Sequence, residues 1–179
     1  MTTTTKTLWK IDPTHSEVQF KVKHLVISTV TGNFGSFDGQ IEADDDHFEN
    51  AEARFTADIG SISTNNNDRD QHLKSDDFFN AEEYPQLKFE STNFEKIDEG
   101  EYKVTGDLTI REVTKVVTLD VIHGGTVGDP YGQTKAGFEV TGSINRKDFG
   151  LTWNAVTEAG NVVVADKIKL HLNVQFVQQ

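Results

Sequence analysis

Polar and apolar residues alternate with a period of two through most of the chain. In Val18-Gln-Phe20-Lys-Val22-Lys-His24 the even positions are apolar up to His24, and Glu17, Gln19, Lys21 and Lys23 are polar. Such a segment is a strand with one wet face. The alternation returns in Val104–Ile110, Val117–Val121, Phe138–Ile144 and Ile168–Phe176, and shorter strands fit Ser36–Glu42, Ala53–Ile59, Gln86–Phe94 and Val162–Ala165. Turns fall where Gly, Asn and Asp cluster, at Thr31–Asn33, Asp44–Asp46, Asp98–Gly100 and Gly124–Gly132. The series predicts about eight antiparallel strands in one sheet system. Between Asn65 and Pro85 the alternation lapses, and helix-start residues precede Gln71-His-Leu-Lys and Asp76-Asp-Phe-Phe, which predicts two short helical turns. Long strands with one excursion hide their edges best by closing. We therefore expect an all-β, eight-stranded antiparallel barrel with a helical insertion around residues 65–84, in preference to a sandwich.

Composition narrows what such a barrel can do. The 179 residues suit one domain, read as residues 8–179 behind a disordered tail at residues 1–7. A net charge of −12 argues against nucleic-acid partners and against membrane attachment through basic groups. The absence of Cys removes disulfides, thiolate metal sites and a thiol nucleophile. MTTTTKTLWKID lacks the apolar stretch of a signal peptide, and no apolar run is long enough for stable membrane insertion, so a cytoplasmic location is expected.

Candidate chemistry is sparse. The nucleophile-elbow, phosphate-loop, zinc-protease and dinucleotide motifs are all missing, and the six His have no metal-ligand spacing, so we expect no catalytic residue, metal or cofactor. His171 falls on the polar parity of its strand and His47 in an acidic turn, both solvated positions. His123 follows the Val117, Leu119, Val121 parity and reads as a hydrogen-bonded residue at a strand end. Asp12, His15 and Ser16 read as a turn that maintains the fold, with His15 able to bond a neighbouring strand. Arg69-Asp70-x-His72, flanked by Leu73, Phe78 and Phe79, admits three readings: an acid/base pair beside a cavity, a headgroup anchor, or a structural network that caps the helical turns. Aromatic residues occur in nearly every element. Combined with the small inward residues Gly106 and Gly142, they fit either an elongated apolar tunnel or an ordinary Phe-rich core.

Spaced motifs add a resemblance. Trp9-x-Ile11-Asp12-x-x-His15-Ser16, Phe20-x-Val22-x-His24 and Gly32-x-Phe34 open it. Ser61-Ile62-x-Thr64, Arg69-Asp70-x-His72-Leu73-x-Ser75-x-Asp77-Phe78-Phe79, Tyr84-Pro85 and Phe89-x-Ser91 form its most specific stretch. Gly106–Ile110, Val113-Thr-Lys115, Gly137-Phe138, Ile144-x-Arg146-x-Asp148-Phe149-Gly150, Asp166 and Ile168 complete it. The sequence resembles the YceI-like family of lipocalin-like polyisoprenoid-binding proteins from about Trp9 to Phe176. Glu112 and Val116 stand where the family often has Gly and Pro. The resemblance implies an extended barrel whose pore holds a long-chain isoprenoid lipid, such as a polyprenyl phosphate or a quinone, with no established catalytic activity and often as a homodimer. It makes this chain a carrier or store of lipid, the alternative being a lipid- or quinone-modifying enzyme using Arg69, Asp70 and His72. The expected lining is Phe20, Val22, Phe34, Phe55, Phe89, Leu108, Ile110, Phe138 and Ile144, with Arg69, Asp70 and His72 near a head. The acidic chain favours a neutral head.

Overall fold

The computed structural model describes residues 6–25, 27–44, 48–154 and 163–179. Eight wall strands close into an antiparallel barrel, and three of them are broken. β1 (Lys6–Ile11) and β2 (Glu17–His24) form the first wall strand, interrupted by a 3-10 turn at Pro13–His15. β3 (Ser28–Phe34) and β4 (Phe37–Asp44) form the second; β5 (Glu52–Asp58) and β6 (Ile62–Ser63) form the third, around a 3-10 turn at Ile59–Ser61. β7 (Gln86–Asp98), β8 (Glu101–Ile110), β9 (Val113–Gly128), β10 (Thr134–Asn145) and β11 (Val164–Gln178) complete the wall. Each wall strand pairs with its neighbour in sequence, and β11 returns to the first, with Ile11 opposite Phe176 and Val22 opposite Ile168. Closure pairs most of the strand edges within the wall, an exception being the gap between the start of β9 and the end of β10.

The breaks keep the ladder intact. Between β1 and β2, Asp12 N donates to Gln175 O (2.8 Å) and Gln175 N donates to Ser16 Oγ (2.9 Å), so a hydroxyl replaces a carbonyl. Asp12 also caps the turn, accepting from Thr14 N at 3.0 Å and from His15 Nδ1 at 2.8 Å. Together with the Thr14 hydroxyl, which donates to Asp12 Oδ1 at 2.7 Å and contributes most, those bonds hold its carboxyl down at about 2. His15 thus serves its own turn and not a neighbouring strand.

The loops sort to two ends. One end carries the connections β4–β5, β7–β8 and β9–β10; the other carries β2–β3, β6–β7, β8–β9 and β10–β11. The β6–β7 connection is the insertion, with α1 (Asn67–Lys74) capped by Asn66 Oδ1, which accepts from Arg69 N at 3.0 Å. The second expected helical turn is not a helix. Phe78 N and Asn80 N donate back to Ser75 O, Asn80 takes φ +49°, and a chain of turns runs to Pro85. Order starts earlier than expected: Lys6 and Thr7 already pair with Asp44 and Ala43, while residues 1–5 lie outside the described residues. Of the expected turn at Asp44–Asp46, Asp44 ends β4, while Asp45, Asp46, His47 and the expected strand start at Val162 also lie outside them. Among the described residues, no helix is long and apolar enough to cross a membrane.

Candidate functional site

Inward positions of every wall strand converge on one axial cavity of about 220 Å³. All nine apolar residues expected as lining face it: Phe20, Val22, Phe34, Phe55, Phe89, Leu108, Ile110, Phe138 and Ile144. On β11, Ile168, Leu170, Leu172, Val174 and Phe176 line it in succession, about 26 Å of strand at roughly 3.3 Å per residue. Compact small-molecule pockets hold roughly 300–1,000 Å³, so a smaller volume drawn out along the axis suits a slender chain. Glycines shape this lumen differently from the expected gaps. A Cβ at Gly32 would stand 2.2 Å from the Phe20 ring, and one at Gly106 would stand 2.4 Å from Glu90 O. The bare glycines let Phe20 and the β7 backbone lie flat against the wall, leaving the axis clear.

One end is sealed by rings. Phe48, in the β4–β5 connection, is 1% exposed and packs on Phe138 (4.9 Å between centroids), His123 (5.1 Å) and Trp9 (5.5 Å). His123 stacks on Phe138 at 5.0 Å and its Nε2 bonds Thr126 Oγ1 at 2.9 Å; it is hydrogen-bonded as expected, but it lies within β9, beside a register shift, and not at a strand end. Burial holds its pKa below the usual imidazole value, so the ring is neutral at pH 7. Sequence reasoning missed Phe48, which follows an acidic turn and shares no strand parity.

The other end is the mouth. There Phe20, Val22, Val164, Ile168 and Ile144 are only half-buried, and the ladder between β9 and β10 stops at Asp120–Thr141, before the last four residues of β10. Arg146 lies just beyond that stretch and is 2% exposed. Its guanidinium donates to Leu151 O (2.6 Å), Trp153 O (2.8 Å), Ala165 O (2.9 Å) and Val164 O (3.3 Å), tying the start of the β10–β11 connection to β11. Asp166 stands 3.8 Å away, and burial lowers the guanidinium's pKa. An Arg continuing the Gly142, Ile144 parity was a readable sign of an inward cation, although no role for it was drawn from the sequence.

Arg69, Asp70 and His72 are not among the cavity-lining residues. Asp70 Oδ1 accepts from Thr64 N (2.8 Å) and Thr64 Oγ1 (2.6 Å), while Arg69 donates to Thr64 Oγ1 (2.8 Å) and Thr64 O (2.7 Å). All four bonds converge on buried Thr64 and fasten α1 to the end of the third wall strand. His72 Nε2 donates to Asp77 Oδ2 at 2.8 Å, and its ring meets Trp153 (4.6 Å) and Phe78 (5.1 Å) edge-on. The groups expected at a lipid head are engaged with the insertion and its neighbours, because a short α1 turns their polar tips toward its own anchor. Arg111 fills the slot before Glu112 with φ +57°, and its guanidinium bonds Asp76 Oδ1 (2.9 Å) and Phe78 O (3.2 Å), pinning the insertion to the β8–β9 turn. Among the described residues, no three His, Asp or Glu gather as a metal site.

The model of the YceI-like domain matches residues 9–176. The chain belongs to the YceI-like family. A UPF0312 protein of Staphylococcus epidermidis is 38% identical to it over 171 residues, covering 95% of this chain and 97% of that one. A UPF0312 protein of Staphylococcus aureus is 37% identical over the same shares. Among solved structures, the Campylobacter jejuni YceI protein matches with a TM-score of 0.69 at 38% identity, covering 84% of this chain and 88% of that one. Burkholderia cenocepacia BcnA reaches a TM-score of 0.80 at 23% identity over 92% of this chain and 98% of that one. A polyisoprenoid binding domain from Saccharophagus degradans, implicated in plant cell wall breakdown, shares the fold at a TM-score of 0.67 and 15% identity, covering 96% of this chain and 98% of that one. The YceI-like barrel is therefore the frame for the cavity, the ring seal and the insertion.

Proposed function

We propose that the barrel binds a long-chain isoprenoid lipid in its cavity and carries or stores it without chemical change. One observation carries the reading: the axial cavity is lined by apolar side chains, and its buried cation, Arg146, spends its hydrogen bonds on backbone carbonyls. Membership of the YceI-like family and the fold shared with a polyisoprenoid binding domain support it. Binding is driven by burial. Each CH₂ removed from water contributes about 0.8 kcal/mol, offset by the cost of ordering the chain. Phe20, Val22, Phe34, Phe55, Phe89, Leu108, Ile110, Phe138 and Ile144 hold the tail. A neutral quinone head fits better than a phosphate, since Arg146, the buried cation of the cavity wall, already spends its hydrogen bonds on carbonyls, and Arg54, the other lining cation, is exposed. What weighs against the modifying-enzyme reading is that Arg69, Asp70 and His72 do not line the cavity. Residence in the cytoplasm and pairing as a homodimer belong to the same proposal. The exposed Val116, Ile122 and Val127 of β9 offer apolar surface for such a contact.

Native mass spectrometry of detergent-free protein, followed by solvent extraction, tests the reading. We expect a stoichiometric adduct with an isoprenoid mass ladder. An apo mass that takes up neither added polyprenol nor quinone would sink it.

A further inference from the structure

Where the wall lapses at the mouth end, other groups make good the lapse. The third wall strand ends at Ser63, and Leu73, Phe78 and Phe79 of the insertion take its place in the cavity lining. β11 shifts register against β2 between Val164 and Ile168, and Arg146 takes up the carbonyls of Val164 and Ala165 there. The parting of β9 from β10 is treated differently. Beyond Asp120–Thr141, the stretch of β9 from Leu119 back to Val113 pairs with β8, and Gly142–Asn145 of β10 pairs with β11. Among the described residues no hydrogen bond joins the two stretches. Four residues of β10 make about 13 Å of strand at roughly 3.3 Å per residue, so the rim carries a notch of that height.

The notch borders the cavity. Val117 and Leu119 on its β9 bank and Ile144 on its β10 bank line the lumen, and all three are only half-buried. At the apex Leu119 occupies the space of a missing side chain, since a Cβ on Gly142 would collide with Leu119 Cδ2. At the foot the 3-10 turn Arg146–Phe149 packs beside β9. Alternate residues of an antiparallel strand direct their N–H and C=O groups to each side, so the banks present donors and acceptors that the ladder leaves unpaired. A polar head needs such partners, because an unpaired carbonyl in an apolar lumen is costly, and Arg146 is already engaged.

We propose that this notch is both the port of the cavity and the seat of the ligand's head. The isoprenoid tail passes between β9 and β10 as Leu119 swings aside, and a neutral, carbonyl-bearing head such as a quinone ring comes to rest against the unpaired backbone of the two banks. The inference rests on the reading of the cavity as an isoprenoid site, and adds where the guest enters and which groups meet its head. A neutral head is not repelled by the carboxylates of the insertion, which belongs to the same end of the barrel. Lys115, opposite Leu108 on the inward parity of β9, is exposed on the same bank, so a phosphate head is an arm of the test.

The chain has no Cys, so the notch can be tied shut selectively. Thr118→Cys/Ser143→Cys places two thiols at exposed positions that continue the Asp120–Thr141 register across it. Lys103→Cys/Asp120→Cys, the control, bridges positions already paired between β8 and β9. Uptake of a long-chain ubiquinone by the full chain should slow about tenfold in the oxidised first variant, recover with dithiothreitol, and stay unchanged in the control. Leu119→Ala, which needs no disulfide, should speed uptake and release alike with little change in affinity. Hydrogen exchange at Val113–Leu119 should slow with bound ubiquinone and not with squalene, an isoprenoid without a head. An unchanged rate in the tied protein, or in Leu119→Ala, would overturn the port. Equal protection by ubiquinone and squalene would overturn the head seat, and stronger protection by a polyprenyl phosphate would overturn its neutral occupant. Uptake at unaltered rates sinks this inference alone; an unmodified chain that takes up none of these lipids sinks the cavity reading as well.

Discussion

The two ends of the barrel are stabilised by different physics. At the sealed end Trp9, Phe48, His123, Phe138 and Phe176 form a continuous ring stack, with centroid separations from 4.9 Å (Phe48–Phe138) to 5.8 Å (Phe138–Phe176). At the mouth the cohesion is polar and runs between loops: Arg146 to four carbonyls, Arg111 to Asp76, and Arg69 with Asp70 to Thr64. Burial of the rings is non-directional and excludes water. Hydrogen bonds between loops fix the rim of an opening without filling it. The division teaches that side chains can close one end of an apolar lumen while backbone carbonyls and ion pairs frame the other.

The sharpest break of this contrast is Phe48→Ala. Loss of a fully buried ring costs about 3–5 kcal/mol, and chemical denaturation should show the lower midpoint. Arg146→Met comes next. It strands the carbonyls of Leu151, Trp153 and Ala165 and should cost about 3 kcal/mol, with proteolysis concentrated in the β10–β11 connection. His72→Ala removes the Asp77 bond and the Trp153 and Phe78 contacts. We expect a loss of about 1–2 kcal/mol with isoprenoid uptake intact; lost uptake without lost stability would restore His72 to the ligand site. Asp12→Asn weakens the turn cap by about 1 kcal/mol. Asp12 has its pKa lowered to about 2, so its contribution is complete above the ordinary carboxylate value and disappears as pH falls from about 4 through 2. The variant should flatten that part of the denaturation profile.

The smallest effect belongs to His123. Burial depresses its pKa, so the unfolded chain takes up the proton first and stability declines as pH falls below about 6.5. His123→Gln should remove that slope while the mouth remains unaffected. Opening of the mouth on acidification, read by hydrogen exchange at Arg146–Leu151, would contradict the division between the ends.

Much of this arrangement was legible in the residues. Period-two alternation located the wall strands, and parity placed Phe20, Leu108 and Ile144 in the lumen, because an inward residue in a closed barrel has nowhere else to face. The strand breaks were less visible: Ser16 Oγ takes the place of a carbonyl, a substitution that no hydrophobic pattern records. Phe48 escaped notice because it belongs to a connection and is buried only by partners distant in sequence. Arg69, Asp70 and His72 were rightly seen as a cluster, but direction depends on the three-dimensional turn of α1.

The pairing of β11 with the first wall strand also orders events in time. Ile11 finds Phe176 opposite it, and Leu8 O receives the N–H of Gln179. On a ribosome, β1 emerges long before the β11 that pairs with it, and folding dominated by such distant pairings is slow. The lumen closes only once β11 has been made. A hydrophobic guest of the proposed kind therefore enters through the rim of a finished vessel, and cannot serve as the template around which the wall is wound.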